Sequence, residues 1–410
     1  MTELFRVRPI LLLLFMCVTS SDMGAWAAGA EFADLFKRGL DAEDAGRLDD
    51  ALQHYSDAIK AQKDSARLWA KRGEVHLKKG DPNTAIKDLA KAVRLDPGYA
   101  EAWTRLGFAY NAINEYDSAI EALWYAIKLA PMSSESLNTR GFSYNGRNEF
   151  DKAIADFDQA IRLNANDARY YNNRGFAFNG KHEYPKAIKD FDKAIALDSK
   201  NPMFHNNRGV AHMKLRQFDE ALQDFDKAIS LNSGFTSAYH NRGMAYSGKG
   251  RDDKAVEEFS KVIEMTPDSP VPYKDRGTAY LKLREFDQAA KDLEKAISLD
   301  KNYAPAYGAL GLVKATTARN DREAKAALRL AEKAVTLTRT QSPDMLEQLA
   351  RVQHAVGEKA GAIRTLQKAL ETDPKNQEYL ELLAKWGGSA PSRDTHTNPA
   401  PRAVNNRGLW

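Results

Sequence analysis

The sequence has little of what pins a chain to a particular chemistry. It holds one cysteine, Cys17, in 410 residues. A single thiol makes no intramolecular disulfide and no cysteine-based zinc site. Charge of one sign is also missing: 60 basic residues face 56 acidic ones. That balance gives no electrostatic footprint of a nucleic-acid binder. There is no glycine-rich phosphate loop on a strand, no H-E-x-x-H and no Cys/His zinc spacing. These absences point away from an enzyme and from any bound cofactor or metal.

Long apolar runs are absent but for one, Pro9 to Val18. It is half the length of roughly twenty residues that a bilayer span requires. Arg6 and Arg8 precede it, and Ala25-Trp26-Ala27 follows as a small-x-small cleavage pattern. Residues 1–27 therefore read as a secretory signal peptide. Met16 before Cys17 is too bulky for a lipoprotein signal. Cleavage after Ala27 leaves a cysteine-free chain without an integral membrane span. Its expected place is exported, in a bacterial periplasm or secreted.

What the chain has in abundance is a period. Gly39, Gly73, Gly107, Gly141, Gly175, Gly209, Gly243, Gly277 and Gly311 lie 34 residues apart. Length alone predicts two or three domains. A fixed period predicts instead an array in which each unit buries its apolar face against its neighbours. With the glycine as position 8, units start at Phe32, Ala66, Ala100, Ser134, Ala168, Pro202, Thr236, Pro270 and Ala304. Position 20 is Ala throughout, from Ala51 to Ala289, and position 27 is small, from Ala58 to Ala296. Position 24 is large, as in Tyr55, Leu89, Phe157 and Phe191. Positions 4 and 11 are often aromatic, as in Trp69, Tyr171, Tyr144 and Phe178. Spacings of three, four and seven mark helices. Gly46, Gly80, Asn114, Asn148 and Gly250 at position 15 are placed to end the first helix of a unit in a left-handed residue.

This pattern resembles the tetratricopeptide repeat (TPR) over residues 32–375. The resemblance implies an all-α solenoid of about ten helix-turn-helix units in a right-handed superhelix. Residues 32–303 form eight regular units, and 304–375 form two less regular ones. The ninth slips: its second helix reads as Ala326 to Thr338, after an insertion around Arg319 to Ala324. The tenth runs from Pro343 to Pro374. Residues 376–386 read as a capping helix, and 387–410 as a disordered tail.

Position 7, usually Leu in this family, is Arg in seven of the first eight units. An internal test separates a structural charge from an anion-binding stripe, because a structural arginine needs an acid in its own unit. Position 23 supplies one: Arg72 with Asp88, Arg140 with Asp156, Arg174 with Asp190, Arg208 with Asp224, Arg242 with Glu258 and Arg276 with Asp292. The third unit lacks both, with Leu106 and Ala122, and the first has Arg38 against His54. Salt bridges between the two helices of six units are expected.

The resemblance also implies that positions 2, 5, 6, 9 and 12 of the first helix face a binding groove. Those positions carry Asn138, Phe142, Asn145, Asn172, Asn173, Phe176, Asn179, Asn206, Asn207, Met213, His240, Asn241 and Met244. Amides both donate and accept, so a ladder of them could pair with the backbone of any extended peptide. Phe and Met add adaptable apolar contact. The arrangement is similar to the asparagine ladder of O-linked N-acetylglucosamine transferases, whose catalytic part has no counterpart here. The carboxylate clamp of chaperone-binding repeats is not supported, since Lys274 is followed by Thr278 where Asn is required. His205 and His240 have no carboxylate partner in the motif, and His212 reads as packing. The expected function is a non-catalytic adaptor holding a peptide or protein partner in the groove. The alternative is a structural scaffold of an envelope assembly such as exopolysaccharide export. Self-association is compatible with either.

Overall fold

The computed structural model describes residues 20–338 and 342–390, with side chains from residue 32 onward. The basic and apolar parts of the predicted signal, and most of the predicted tail, lie outside the described residues. Among the described residues there are twenty-one helices and no strand. Two compact units divide at Ala211, inside the helix Pro202–Lys214.

In the first unit, helices alternate as A and B members of hairpins. The pairs are Ser20–Asp44 with Leu48–Ala61, Ala66–Lys78 with Pro82–Leu95, Ala100–Ala112 with Tyr116–Leu129, Ser134–Gly146 with Phe150–Leu163, and Ala168–Gly180 with Tyr184–Leu197. The A helices from the second to the sixth repeat begin on the residues that the period predicts. In the first repeat, helix Ser20–Asp44 already runs through the expected start at Phe32.

Close approach at the periodic glycine explains the hairpin. A Cβ added to Gly141 would stand 2.6 Å from the Phe157 ring, and one on Gly175 would stand 2.7 Å from Phe191. Both rings are fully buried. Position 24 thus packs on the bare backbone of position 8.

Every A helix of this unit ends in the same turn. Asn148 adopts φ 59°, and the Glu149 N–H reaches back to the Tyr144 carbonyl at 2.9 Å. This is a Schellman closure. His182 adopts φ 61° in the equivalent place although it is neither Gly nor Asn.

The second unit continues with Thr236–Gly248 and Asp252–Met265, Pro270–Lys282 and Phe286–Leu299, Ala304–Thr317 and Asp321–Leu337, Pro343–Ala355 and Lys359–Thr372, then Gln377–Lys385. Arg216 and Arg284 join His182 as left-handed residues outside the glycine and asparagine set. The second helix of the ninth repeat starts five residues before its predicted start. Asn320 explains this correction. Its Oδ1 accepts from the Glu323 N–H at 3.0 Å, while Glu323 accepts from the Arg319 N–H at 2.7 Å. This side-chain capping draws the inserted residues into a 17-residue helix. Asn376 caps the final helix, accepting from the Tyr379 N–H at 3.2 Å.

Candidate functional site

In the fifth repeat the arginine at position 7 sits between carboxylates sixteen residues away on either side. Arg174 donates Nε and Nη2 to Asp190 at 2.7 Å each, and Nη1 to Asp158 Oδ1 at 2.6 Å. Asp190 belongs to its own hairpin and Asp158 to the preceding one. Tyr171 and Phe178 flank the guanidinium, with ring centroids 5.7 and 6.0 Å from its carbon. Hydrogen bonding to Asp190 raises the Arg174 guanidinium above its ordinary value; burial opposes this and Asp158 adds to it.

Arg140 holds Asp156 through two bonds of 2.8 Å, but Trp124 stands where Asp158 would be. Arg72 holds Asp88 at 2.7 and 2.8 Å and reaches Ser56 Oγ at 3.1 Å. Arg208 donates to Asp192 at 2.6 Å, and Arg38 pairs with Asp34 at 2.8 Å. In the second unit Arg242 meets Glu258 at 2.7 Å and Asp226 at 2.6 Å. Arg276 meets Asp292 at 2.7 Å and Ser260 at 3.0 Å. Asp224 is buried there. Sequence reasoning missed the second partner, at position 25. The acid sixteen residues before Arg174, Arg208 and Arg242 was the available signal.

The amide ladder needs correction. Asn145, Asn172 and Asn206 are buried, so they do not stand open to a ligand. Neighbouring A helices pack so closely that these amides join helix to helix. Asn207 Nδ2 donates to Asn172 Oδ1 at 2.9 Å, Asn172 Nδ2 to Asn173 Oδ1 at 3.2 Å, and Asn173 Nδ2 to Asn138 Oδ1 at 3.0 Å. Asn145 Nδ2 donates to the Asn173 carbonyl at 3.1 Å. Position 5 of one repeat thus meets position 6 of the next. His240 in the second unit obeys the same rule: its Nε2 lies 2.8 Å from Asp275 Oδ2, so it too serves a joint. Asn179, Met213 and Asn241 are half-buried.

Position 9 is the open position. Phe108, Phe142 and Phe176 are 52%, 47% and 52% exposed, one on each of three successive A helices. The first two line a cleft of 420 Å³ with Asn138, Arg169, Met203 and Phe204. Asn172 and Asn173 reach its wall. Phe108, Arg169 and Phe204 escaped the sequence reading, although Phe108 follows Gly107 as Phe142 follows Gly141. Met244 is exposed on the second unit. Large exposed apolar groups in a row are the mark of a contact surface.

Among the described residues no group of three or more His, Cys, Asp or Glu could hold a metal. Among them, too, no helix is long and apolar enough to cross a membrane. Buried His205 has Nε2 3.3 Å from the Ser199 carbonyl. Lys274, excluded from a clamp, pairs with its neighbour Asp275.

Stacked hairpins joined by repeated A-helix contacts define a helical-repeat protein. Models described as tetratricopeptide repeat match residues 36–99, 76–124 and 168–201, and one described as TPR repeat matches 141–181. The chain belongs to the tetratricopeptide repeat family. A model described as the cilia and flagella-associated protein 70 C-terminal domain matches residues 190–391.

Among solved structures, a tetratricopeptide repeat protein from Parabacteroides merdae is 22% identical, with 60% of this chain and 98% of that one covered and a TM-score of 0.50. MamA protein is 32% identical, covering 42% of this chain and 94% of that one, with a TM-score of 0.38. YrrB, titled a TPR protein with an unusual peptide-binding site, is 26% identical over 46% of this chain and 96% of that one, with a TM-score of 0.38. No curated protein matches the chain.

Proposed function

We propose that the chain is a non-catalytic interaction scaffold that binds an extended peptide segment of a protein partner along the A helices of its first unit. The observation that carries this reading is the row Phe108, Phe142 and Phe176, each about half exposed, the first two lining the cleft. Burying such side chains on a ligand would stabilise a complex by roughly 25 cal/mol per Å² of apolar area, before the cost of ordering the peptide. The test is peptide display against the full chain, with counter-selection on a Phe108→Ala, Phe142→Ala, Phe176→Ala variant. Peptides that bind the parent and not the variant support the reading. An output indifferent to the three phenylalanines removes it.

We infer also that the protein works outside the cytoplasm, in a bacterial periplasm or beyond it. Arg6, Arg8, the run from Pro9 to Val18 and Ala25-Trp26-Ala27 support this. Residues 1–40 fused to an alkaline phosphatase, active only after export, should give a signal that Leu12→Arg, Leu13→Arg abolishes. A second reading, a structural part of an envelope assembly such as exopolysaccharide export, draws on another surface. Trp124, Tyr125, Leu129 and Met132, in and just beyond the B helix of the third repeat, are 48%, 38%, 44% and 75% exposed.

A further inference from the structure

We propose that the cleft takes a polyproline II segment carrying an apolar side chain at every third residue, with an acidic residue beside them. This rests on the reading of the cleft as a peptide site and adds the conformation, register and charge of the ligand.

The argument starts from the spacing of the phenylalanines. Successive A helices touch: Asn111 Nδ2 donates to the Thr139 carbonyl at 3.2 Å, and Asn145 Nδ2 to the Asn173 carbonyl at 3.1 Å. A side chain as short as asparagine reaches a neighbour's backbone only between helices at ordinary packing distance, about 8–10 Å. Phe108, Phe142 and Phe176 hold the same position on these helices, so they step by about 8–10 Å as well.

A ligand that seats one side chain per phenylalanine must repeat on one face at that distance. A β-strand does not match, because residues on one face recur every second position, at about 6.6 Å, and every fourth, at about 13 Å. An α-helix recurs at about 5.4 Å per turn and about 10.8 Å every two turns, which fall on either side of that step. Polyproline II has three residues per turn and rises about 3.1 Å each, so one face recurs at about 9.3 Å.

The polar lining fits the same occupant. A polyproline II backbone makes no internal hydrogen bonds, so its carbonyls need donors from the site. Asn138 accepts from Asn173 through Oδ1, which leaves its Nδ2 as the donor on the cleft wall. Charge selects further. Arg169 is the one charged side chain among those lining the cleft, and it is 62% exposed, with Asp167 as its ion-pair partner. A carboxylate on the ligand complements that edge, and a lysine opposes it.

Fluorescence anisotropy on the full chain tests this with three dye-labelled synthetic peptides, the first two of identical composition. One places Leu at every third residue of a Pro-rich sequence with Glu adjacent. A second reorders it so that Leu falls at every second residue. A third replaces Glu by Lys. The first should bind at least about tenfold tighter than either other. Phe142→Ala should weaken it, and Arg169→Glu should reverse the Glu/Lys preference. Both residues are at the surface, and an unchanged thermal melt verifies folding. Equal or tighter binding of the second peptide overturns the register while leaving a phenylalanine-dependent peptide site intact. Absence of binding by all three overturns both readings. An unaltered charge preference in Arg169→Glu removes the acidic residue from the proposal.

Discussion

The joint between the third and fourth repeats and the joint between the fourth and fifth occupy equivalent positions but are built from different groups. In the earlier joint the A helices close a complete hydroxyl and amide network. Thr104 Oγ1 and Ser136 Oγ lie 2.7 Å apart, Asn111 donates to the Thr139 carbonyl at 3.2 Å, and Ser143 Oγ donates to Asn111 Oδ1 at 2.8 Å. Its outer side lacks the acid that would bridge to Arg140, because Trp124 stands there, although Asp117 still pairs with Arg147 and Arg105 with Glu135. The later joint is the reverse. Arg174 ties Asp158 to Asp190 across it, while on the inner side the buried Asn145 Oδ1 has no partner. Neither chemistry is required by the fold. The glycine and large-residue packing inside each hairpin is common to both, so the joints are free to vary.

The largest effect should come from breaking the ionic side of the later joint. Asp190 is buried and Arg174 is mostly so. Asp190→Ala leaves a guanidinium without its two-bonded partner and should cost about 3–5 kcal/mol, less the share that water recovers. Arg174→Leu with Asp190→Ala recreates the apolar pair that Leu106 and Ala122 make in the third repeat. That double variant should lose much less than Asp190→Ala alone. Urea denaturation of the parent, Asp190→Ala, Arg174→Leu and the double variant checks this. A double variant as unstable as the sum of the singles would show that the charges are not acting as a pair.

Acid should expose ionic joints in preference to amide ones. Burial pushes the Asp275 carboxyl up, but the hydrogen bond from His240 and the charge of Lys274 reverse this and leave it below its ordinary value. A depressed carboxylate contributes stability that is present above its unfolded pKa, about 3.9, and disappears as pH falls through the folded value. Asp275→Asn should therefore flatten the loss of stability below about pH 4, measured by thermal melts across that range. An unchanged slope would assign the acid sensitivity elsewhere.

A smaller effect sits on the exposed half of the bridge. Asp158 is 40% exposed, so Asp158→Ala should cost about 1 kcal/mol or less and less again in high salt. Trp124→Asp transplants the same carboxylate to the earlier joint, sixteen residues before Arg140. It should make Arg140 less costly to bridge and add a salt-dependent increment of the same size. If Trp124→Asp gives a salt-independent change, the gain or loss reflects the exposed aromatic surface and not the bridge.

Much of this architecture was legible in the sequence because a period repeats its own control experiment. Ala100, Ser134 and Ala168 start helices where the glycine register places them, and Arg with its position-23 acid could be tested against Leu106 and Ala122. The left-handed turns at His182, Arg216 and Arg284 were not legible. There the hairpin imposes the backbone on residues that do not favour it, at roughly 1 kcal/mol each. The role of the asparagines was misread for a different reason. A row of amides has the same pattern whether it pairs with a ligand or with the next helix, and only the distance between helices decides. Phe108 was missed because it lies one repeat before the asparagine-bearing units, although Phe142 and Phe176 hold the same position.

The finest contrast between the joints is one hydroxyl. Ser143 donates to Asn111 Oδ1, but its counterpart one repeat later is Ala177, fully buried, and Asn145 Oδ1 is left without a donor. Ala177→Ser should supply it. A net hydrogen bond contributes about 0.5–1.5 kcal/mol, and relief of a buried unsatisfied oxygen lies at the upper end. The lower helix propensity of Ser opposes this by about 0.5 kcal/mol. The expected gain is therefore about 0.5–1 kcal/mol, seen as a higher urea midpoint at unchanged slope. Steric cost is limited because Ser143 already fits the equivalent space. The deciding measurement repeats the substitution in an Asn145→Ala background. Without the acceptor, Ala177→Ser should turn from stabilising to destabilising by its propensity alone. A gain that persists there would mean that the later joint already satisfies Asn145 by another route, and that the two joints differ in charge but not in polar closure.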